Sequence, residues 1–290
     1  MKKVFKCSIL GREFDSRDEM FKALKANKKD ILALKRSTVK HSEGLRLDYD
    51  NLKIKQHDGA EATKGNPADI NAEGGYIYPV INTANFMDSH KDVHFDGIWD
   101  KSASEQDGKI YYAINHKLEI GSIVAFPQDV KVFVEKMSWK DLGQPYEGKT
   151  DALIYQVKLK EYANKEAVDM IKGRLPVENS VRMQYVKVEM GINSGDPMYA
   201  EEKAYYDKHV SKIVNKEQVE EDGYFFGVSE AKIVKEGSMV LEGSNSATPI
   251  LHPKSEPEKS THDSAQSDGE VADKITAEDY LREFYSNINI

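Results

Sequence analysis

The sequence of 290 residues predicts an α+β fold, with a core of strands and with helical and disordered extensions. Strand-like segments follow one another in quick succession from residue 76 to about residue 251, and each is bounded by Gly, Pro, Asp or Asn. Helical patterns stand before, between and after these strands. The length is enough for one large domain or two small ones with a buried core, and the 39% of hydrophobic residues is typical of a globular protein.

Residues 1–51 form a predicted N-terminal extension that contains one basic helix. Ser16 and Glu19 have the spacing of a capping box, so we expect the helix to span residues 16–36. Its apolar face is made by Met20, Phe21, Leu24, Ile31, Leu32 and Leu34. Lysines crowd the opposite face through residues 22–40, and we expect that face to be solvated. The alternative is a docking arm for an acidic partner.

The next segment, residues 52–75, is rich in Gly, Asp and Asn and is predicted to be a linker or mobile loop. The core follows over residues 76–251. Strands are predicted at Tyr76–Ile81, Lys109–Asn115, Ser122–Phe126, Val130–Val134, Asp151–Lys158, Ser180–Met190, Tyr224–Val228 and Ala231–Leu241. The hydrophobic alternation slips at Tyr185–Val186, which indicates a bulge. A short helix over Asn164–Lys172 ends at Gly173, and a charged helical insertion is expected over residues 198–220.

The end of the chain is acidic and poor in apolar residues. Residues 252–274 are therefore predicted to be a disordered acidic linker. Residues 275–290 carry a predicted short helix over Thr276–Tyr285, with apolar side chains along one side. That side either docks onto a partner or packs back onto the chain, and the sequence leaves both open.

Composition argues against several classes of protein. The formal net charge of −8 disfavours a general nucleic-acid binder, so no specific nucleic acid is expected as a partner. No apolar run reaches the roughly 18 residues of a membrane span, and Lys6 and Arg12 break the N-terminal apolar stretch, so neither a membrane partner nor a signal peptide is expected. The single cysteine, Cys7, excludes an internal disulfide and a Cys-rich zinc site and fits a reducing cytoplasm.

Histidine and aspartate are concentrated in Phe86–Ser102, which raises the question of a metal site. The spacing of His90 and His94 would place both rings on one face of a helix, but Asp92 and Gly97 argue against a helix here. On a strand the two histidines would share a face about 13 Å apart, too far for one ion. We therefore expect no metal and no cofactor. A metal-dependent hydrolase built on these histidines is kept as a rival hypothesis.

Two further positions have the setting of catalytic groups. His116 follows an apolar strand and precedes a polar loop, where a fixed backbone can present an imidazole as general base. Ser180 opens a strand after a proline-containing turn, and a serine is a nucleophile only when a base takes its proton. Each residue alone has an ordinary explanation, a surface histidine and a strand-starting serine. No G-x-S-x-G motif is present, which argues against an α/β-hydrolase.

Taken in their order along the chain, these segments resemble the prohead (capsid-maturation) proteases of tailed bacteriophages. The resemblance covers about residues 77–251 and rests on a succession of motifs: Asp88-x-x-x-Asp92-Val93, Asn115-His116, the short helix at 164–172, the turn Gly173–Val177, the strand opened by Ser180, Glu236-Gly237-Ser238, and Gly243–Pro249. Two positions depart from the family pattern. Lys117 stands where an Asp usually follows the histidine, and Gln184-Tyr185 replaces a Gly-Phe pair.

The resemblance implies a serine endopeptidase with the fold of the herpesvirus assemblin proteases, a closed and mostly antiparallel β-barrel ringed by helices. Ser180 would be the nucleophile and His116 the general base. Glu236 is the first candidate for the group that orients the imidazole, and Glu230 is the second. The alternative for Glu236 is a solvent-facing strand residue.

The same resemblance implies partners and a place of action. Scaffold protein and major capsid protein would be the substrates, within a prohead shell that also holds the portal, and homo-oligomer formation is left open. The chain would act in the host cytoplasm, inside the assembling prohead, and would also cut itself. The basic N-terminal helix and the C-terminal helix would serve in packaging. The main rival is a catalytically inactive, scaffold-like internal head protein with the same fold.

Overall fold

The structure is a computed structural model that describes residues 4–41, 53–55, 61–63, 75–173, 175, 177–241 and 250–251. These residues all lie in one compact unit, Met1–Ser255. The predicted acidic linker at 252–274, the predicted helix within 275–290 and the Gly243–Pro249 motif lie outside the described residues. Among the helices that are described, none is long and apolar enough to cross a membrane.

The strands in the described part of the chain are short at its N-terminus and long in its second half. They are β1 (Phe5–Cys7), β2 (Arg12–Phe14), β3 (Val39–His41), β4 (Lys53–Lys55), β5 (Glu61–Thr63), β6 (Tyr76–Thr83), β7 (Asp92–His94), β8 (Tyr111–Ile114), β9 (Ile123–Ala125), β10 (Val130–Ser138), β11 (Lys149–Lys158), β12 (Glu178–Ile192), β13 (Tyr224–Val240) and β14 (Ile250–Leu251).

The helices lie between these strands along the chain. They are α1 (Arg17–Ala26), α2 (Lys28–Ser37), α3 (Asp100–Gln106), α4 (Lys165–Lys172), α5 (Ala200–His209) and α6 (Lys216–Asp222), with 3-10 turns at Ser8–Leu10, Ile120–Ser122, Pro127–Asp129, Pro197–Tyr199 and Val210–Lys212. The predicted cap at Ser16 and the predicted end of a helix at Gly173 are confirmed. The Ser16 hydroxyl accepts a hydrogen bond from the Glu19 amide at 3.2 Å, and α4 ends directly before Gly173. The Asn164 side chain caps the start of α4.

The main sheet has the strand order β9-β8-β13-β12-β3, and β7 also pairs with β13. Its centre is the long antiparallel pair β12 and β13. The two strands predicted within residues 224–241 are a single strand, β13, which runs parallel to β7 near one end and to β8 near the other. The predicted bulge is confirmed, because the register between β12 and β13 shifts between Tyr185 and Lys187.

A second sheet has the order β10-β11-β6-β14 and is antiparallel throughout. The α+β class and the preference for antiparallel pairing are thus as predicted. The described residues do not form the expected closed barrel, because both sheets have open edges. The chain leaves the main sheet after β9 through a turn that begins at Pro127 and enters the second sheet as β10. Proline lacks the N–H that would continue a strand ladder, so this turn separates the two sheets.

The N-terminal segment is an integral part of the first unit and not a separate extension. Strand β3 pairs antiparallel with β12, and side chains from β1 to α2 belong to the same core as the main sheet. The predicted single helix is two helices, because Asn27 bonds back to the Ala23 carbonyl through both its amide groups and α2 starts afresh after it. Leu34, expected on the apolar face, is exposed.

Four lysines of this segment pair with buried carboxylates, which contradicts the expectation that the basic face is solvated. Lys35 is buried and pairs with Asp92, and Lys40 reaches the other oxygen of the same carboxylate at 3.1 Å. Lys25 and Lys28 both pair with the buried carboxylate of Glu202 on α5. Burial alone would raise the pKa of Asp92, but the charges of Lys35 and Lys40 outweigh it and lower that pKa. These ion pairs fix α1, α2 and β3 to the rest of the unit.

Two other predicted segments take a more ordered form than expected. The linker at 52–75 contains the antiparallel pair β4 and β5. The helical insertion at 198–220 is α5, a 3-10 turn and α6, and its Tyr206, Ile213 and Val219 are buried in a small apolar cluster with Phe225 of β13. The insertion therefore packs against the main sheet.

Replacing Lys35 with alanine should destabilise the protein by about 3 kcal/mol, because it removes one partner of a buried ion pair. Denaturant unfolding of Lys35→Ala beside Lys29→Ala measures this. Lys29 lies on the same helix and is exposed, so its variant should unfold at the same denaturant concentration as the wild type. Equal effects of the two substitutions would contradict the inward-facing role of Lys35.

Candidate active site

Three adjacent strands meet at the candidate site. In the registers of the main sheet, Ser238 of β13 lies opposite Ser180 of β12 on one side and beside Ala113 of β8 on the other. Residues two apart on a strand share a face, so Glu236 and Ser238 point to the same side of β13. The strand pairing thus brings together a serine, a carboxylate and the end of β8, where His116 follows.

His116 is presented by a two-residue turn of unusual backbone conformation. Asn115 and His116 have φ values of 51° and 57°, and the Lys117 amide donates to the Ile114 carbonyl at 3.0 Å. Positive φ at both central residues is the pattern of a type I′ turn. Asn adopts this region readily, whereas a histidine there is held by its surroundings. The Asn115 amide donates to the Met239 carbonyl at 2.9 Å, which attaches the turn to β13.

Ser180, His116 and Glu236 form a continuous chain of hydrogen bonds. His116 Nε2 lies 2.7 Å from Ser180 Oγ, and His116 Nδ1 lies 2.9 Å from Glu236 Oε1. An ionised carboxylate only accepts hydrogen bonds, so we assign the ring proton to Nδ1. Nε2 is then an acceptor directed at the serine hydroxyl. This is the tautomer that can remove the serine proton.

Ser238 supports two members of this chain. Its hydroxyl donates to Glu236 Oε2 at 2.6 Å and accepts from the His116 backbone amide at 3.1 Å. Glu236 is fully buried, and a buried carboxylate is costly unless its oxygens are hydrogen-bonded. Ser238 and His116 together satisfy both oxygens. One hydroxyl thereby fixes the carboxylate and the turn that carries the imidazole.

The strand is irregular next to Glu236. Lys235 has a φ of 67°, and the register shifts between Val181 and Met183 of β12. Such a bulge redirects the side chains that follow it. On the next residue, an added Cβ at Gly237 would lie 2.6 Å from Tyr155 Cε2. Tyr155 is buried, and burial and the charge of Glu236 raise its pKa well above the usual value.

Ser180 is the more buried of the two residues that would carry out proton transfer. Ser180 is fully buried, whereas the His116 side chain keeps 14% of its surface exposed. The preceding residue, Asn179, is also buried and accepts a hydrogen bond from the Tyr112 hydroxyl at 2.7 Å. This bond ties β12 to β8 just beside the nucleophile candidate.

A second histidine stands beside the first. His41, at the end of β3, has its ring centroid 3.9 Å from that of His116, with the two rings tilted by 42°. The register places His41 opposite Arg182, two residues from Ser180 on β12. His41 is exposed, and its neighbour Lys40 is anchored to Asp92. The N-terminal segment therefore contributes directly to the surroundings of the imidazole.

The predicted rival, a metal site at His90 and His94, is not supported by their placement. His94 is buried, with Nδ1 2.9 Å from Asn82 Oδ1 and Nε2 3.0 Å from the Tyr185 hydroxyl. Burial lowers the pKa of His94 to about 4, so the ring is neutral. Both ring nitrogens already have hydrogen-bond partners within the protein. His90 is exposed on the turn before β7.

The aspartates of that segment have structural surroundings. Asp92 accepts from Lys35, Lys40 and the Tyr185 hydroxyl, and Asp88 Oδ1 accepts from the backbone amides of His90 and Asp92 at 2.8 and 2.9 Å. Burial and the nearby charge of Asp92 raise the pKa of Asp88 to about 7. The Asp-rich motif is thus a buried network that supports β7 and holds the N-terminal lysines.

Glu230, the second candidate for the orienting carboxylate, lies elsewhere. It pairs with Lys187 of β12 and Lys101 of α3, and hydrogen bonding to Lys187 lowers its pKa. The structure brings together Ser180, His116 and Glu236 and leaves Glu230 out. His41 was not predicted as a site residue, because nothing in the local sequence around it indicates that β3 pairs with β12. The supporting role of Ser238 was also missed, although its spacing from Glu236 on one strand is a usable signal.

Comparison with known proteins identifies no relative of this chain. No protein-family model matches the chain, no curated protein matches it, and no solved structure matches it.

The Gly237→Ala variant should lose about 2 kcal/mol of unfolding free energy, because the new methyl group overlaps the buried Tyr155 ring beside Glu236. Thermal or denaturant unfolding measures the loss. Gly121→Ala is the matched control, since an added Cβ there meets nothing within 4 Å. If Gly237→Ala unfolds at the same midpoint as the wild type, the close packing of Tyr155 against Gly237 is contradicted.

The Asp88→Asn variant should gain stability over the wild type as the pH rises from 5 to 8. A carboxyl whose folded pKa is raised contributes stability that is present below its unfolded pKa, near 3.8, and is lost as the pH rises through about 7. The amide keeps the accepting oxygen and cannot ionise, so the relative gain should be on the order of 2 kcal/mol. Urea unfolding at both pH values tests this, with the exposed Asp169→Asn as control. A pH-independent difference would refute the raised pKa.

Proposed function

We propose that this chain is a serine endopeptidase in which Ser180 is the nucleophile, His116 the general base and Glu236 the group that orients the imidazole. The observation that carries the proposal is the continuous hydrogen-bond chain from Ser180 Oγ through both His116 nitrogens to Glu236 Oε1, with distances of 2.7 and 2.9 Å. The nucleophile, base and orienting carboxylate of acyl-transfer enzymes have this arrangement on several unrelated folds.

In the proposed mechanism, Ser180 Oγ attacks the carbonyl carbon of the peptide bond while its proton passes to His116 Nε2. The imidazolium that forms is stabilised by the Glu236 carboxylate, which remains ionised and holds Nδ1–H. The proton on Nε2 then passes to the leaving amine, and an ester to Ser180 is left. Water attacks the ester with His116 again as base, which releases the acid and restores the serine hydroxyl.

Features outside the triad fit this role. Ser238 bonds Glu236 Oε2 and the His116 amide, so that the carboxylate and the turn bearing the base are held by one residue. A pre-organised base needs no rearrangement at the moment of proton transfer. The buried position of Glu236 also keeps water from competing for Nδ1.

The biological setting is proposed on the order of motifs in the sequence. We propose a prohead protease of a tailed phage, related in fold to the assemblin proteases, that cuts scaffold and capsid protein inside the assembling head and also cuts itself. The C-terminal region would serve in packaging. The N-terminal segment is better assigned to the catalytic unit, because β3 pairs with the strand that carries Ser180.

The test is covalent labelling combined with cleavage. A fluorophosphonate probe should modify the wild-type chain at Ser180, and co-expressed scaffold protein of the same phage should be cut. Ser180→Ala should lose both signals, and Glu236→Gln should reduce the labelling rate by about a hundredfold or more, as expected for loss of the correct tautomer. Glu230→Gln is the matched control and should behave as wild type, because its carboxylate pairs with lysines far along the sheet.

A folded wild-type chain that is neither labelled nor able to cut scaffold would favour the inactive, scaffold-like head protein instead. Cleavage that survives in Ser180→Ala and disappears with a chelator would favour a metal-dependent hydrolase. Circular dichroism of each variant establishes that a lost signal is not a lost fold.

A further inference from the structure

One group of three metal-ligating side chains in the described residues is close enough to hold a single ion. It consists of His41, His116 and Glu236, whose ligand atoms all lie within 4.8 Å of one another. Two of these residues belong to the candidate triad, and the third comes from β3 at the edge of the main sheet. The donor set is two imidazole nitrogens and one carboxylate oxygen.

We infer that this group is an inhibitory binding site for Zn²⁺. Two histidines and one carboxylate are a ligand set that zinc favours, with bonds of about 2.0–2.2 Å to each donor. Around a tetrahedral ion such donors stand roughly 3.4 Å apart. His116 Nδ1 and Glu236 Oε1 are already at 2.9 Å, so the ion enters with a small opening of that pair and a turn of the His41 ring.

The three ligands differ in how far they are buried. Glu236 is fully buried and fixed by the Ser238 hydroxyl, and His116 is fixed by its turn. His41 is an exposed side chain at the end of a three-residue edge strand, while the backbone beside it is anchored through Lys40 and Asp92. The site therefore has two ligands already in contact and a third, exposed ligand close to them.

The inhibition follows from the tautomer of His116. Zinc and the ring proton compete for the same lone pair on Nδ1, because Nδ1–H is the donor to Glu236 in the free site. When zinc binds Nδ1, a neutral ring carries its proton on Nε2. That nitrogen faces Ser180 Oγ at 2.7 Å and can no longer accept the serine proton. The metal also takes over the Glu236 carboxylate, so base and orienting group are lost together.

The inhibition rests on the proposed protease function, whereas the binding of zinc does not. Binding is therefore measured first, by titrating full-length Ser180→Ala with ZnCl₂ in a calorimeter. We expect one zinc per chain. Adding His41→Gln should weaken the affinity by about tenfold or more, as loss of a ligand requires. His90→Ala, which removes an exposed histidine outside the group, should leave the affinity unchanged.

Inhibition is measured as the rate of fluorophosphonate labelling of Ser180 against zinc concentration, relative to the zinc-free rate of each variant. The wild type and His90→Ala should be inhibited at the same concentration and recover on adding a chelator. His41→Gln should need about tenfold more zinc or more. Labelling of His41→Gln without zinc shows that this variant is folded.

Zinc binding that is absent, or unaffected by His41→Gln, overturns the site. Equal zinc sensitivity of His41→Gln and wild type, or faster labelling with zinc, overturns the inhibition. If the wild type is not labelled at all, the proposed protease function fails, and the calorimetric result still decides whether the metal site exists.

Discussion

The register between β12 and β13 is the constraint on which the candidate site depends. It sets Ser180 opposite Ser238 and so places the nucleophile candidate across from the strand that carries Glu236. Because side chains alternate along a strand, a slip of one residue would turn Ser180 to the opposite face of the sheet. The long pairing, with bulges on both sides of its middle, excludes such a slip, since many buried apolar residues would move with it. A local hydrogen-bond chain is thus specified by a sheet-wide packing arrangement.

The buried polar groups of the site need hydrogen-bond partners, and the structure provides them. Glu236 has no exposed surface, and each of its oxygens has a hydrogen-bond donor. A half-satisfied carboxylate in such a place would be protonated or would open the sheet to water. The same reasoning applies to Asp92, which is buried among two lysines and a tyrosine hydroxyl. The two carboxylates have different roles. Glu236 bonds an imidazole, whereas Asp92 holds the N-terminal segment through Lys35 and Lys40.

Much of the secondary structure could be predicted from the sequence, because alternation and caps are local properties. The strand from Ser180, its bulge near Val186 and the helix that ends at Gly173 were expected from neighbouring residues alone. The proximity of Ser180, His116 and Glu236 was expected only from the order of motifs in a family, and the structure brings these three side chains together. The closed barrel was expected on the same ground and is not formed by the described strands. His41 and the inward-facing Lys35 could not be predicted, because their partners lie in distant segments of the chain, 57 residues away for Lys35 and Asp92 and further for β3 and β12. Pairing at such separations leaves no periodic signal in either segment.

The attachment of the N-terminal segment changes what a cut in this protein would mean. Strand β3 is a strand of the main sheet, α1 and α2 contribute to the core, and Lys35 and Lys40 share one buried carboxylate. A peptide bond broken between residues 42 and 74 would therefore yield two chains that stay together as one particle. Denaturing electrophoresis would separate the fragments, whereas the native mass would not change. Such a nick would alter connectivity without dissociating the N-terminal piece.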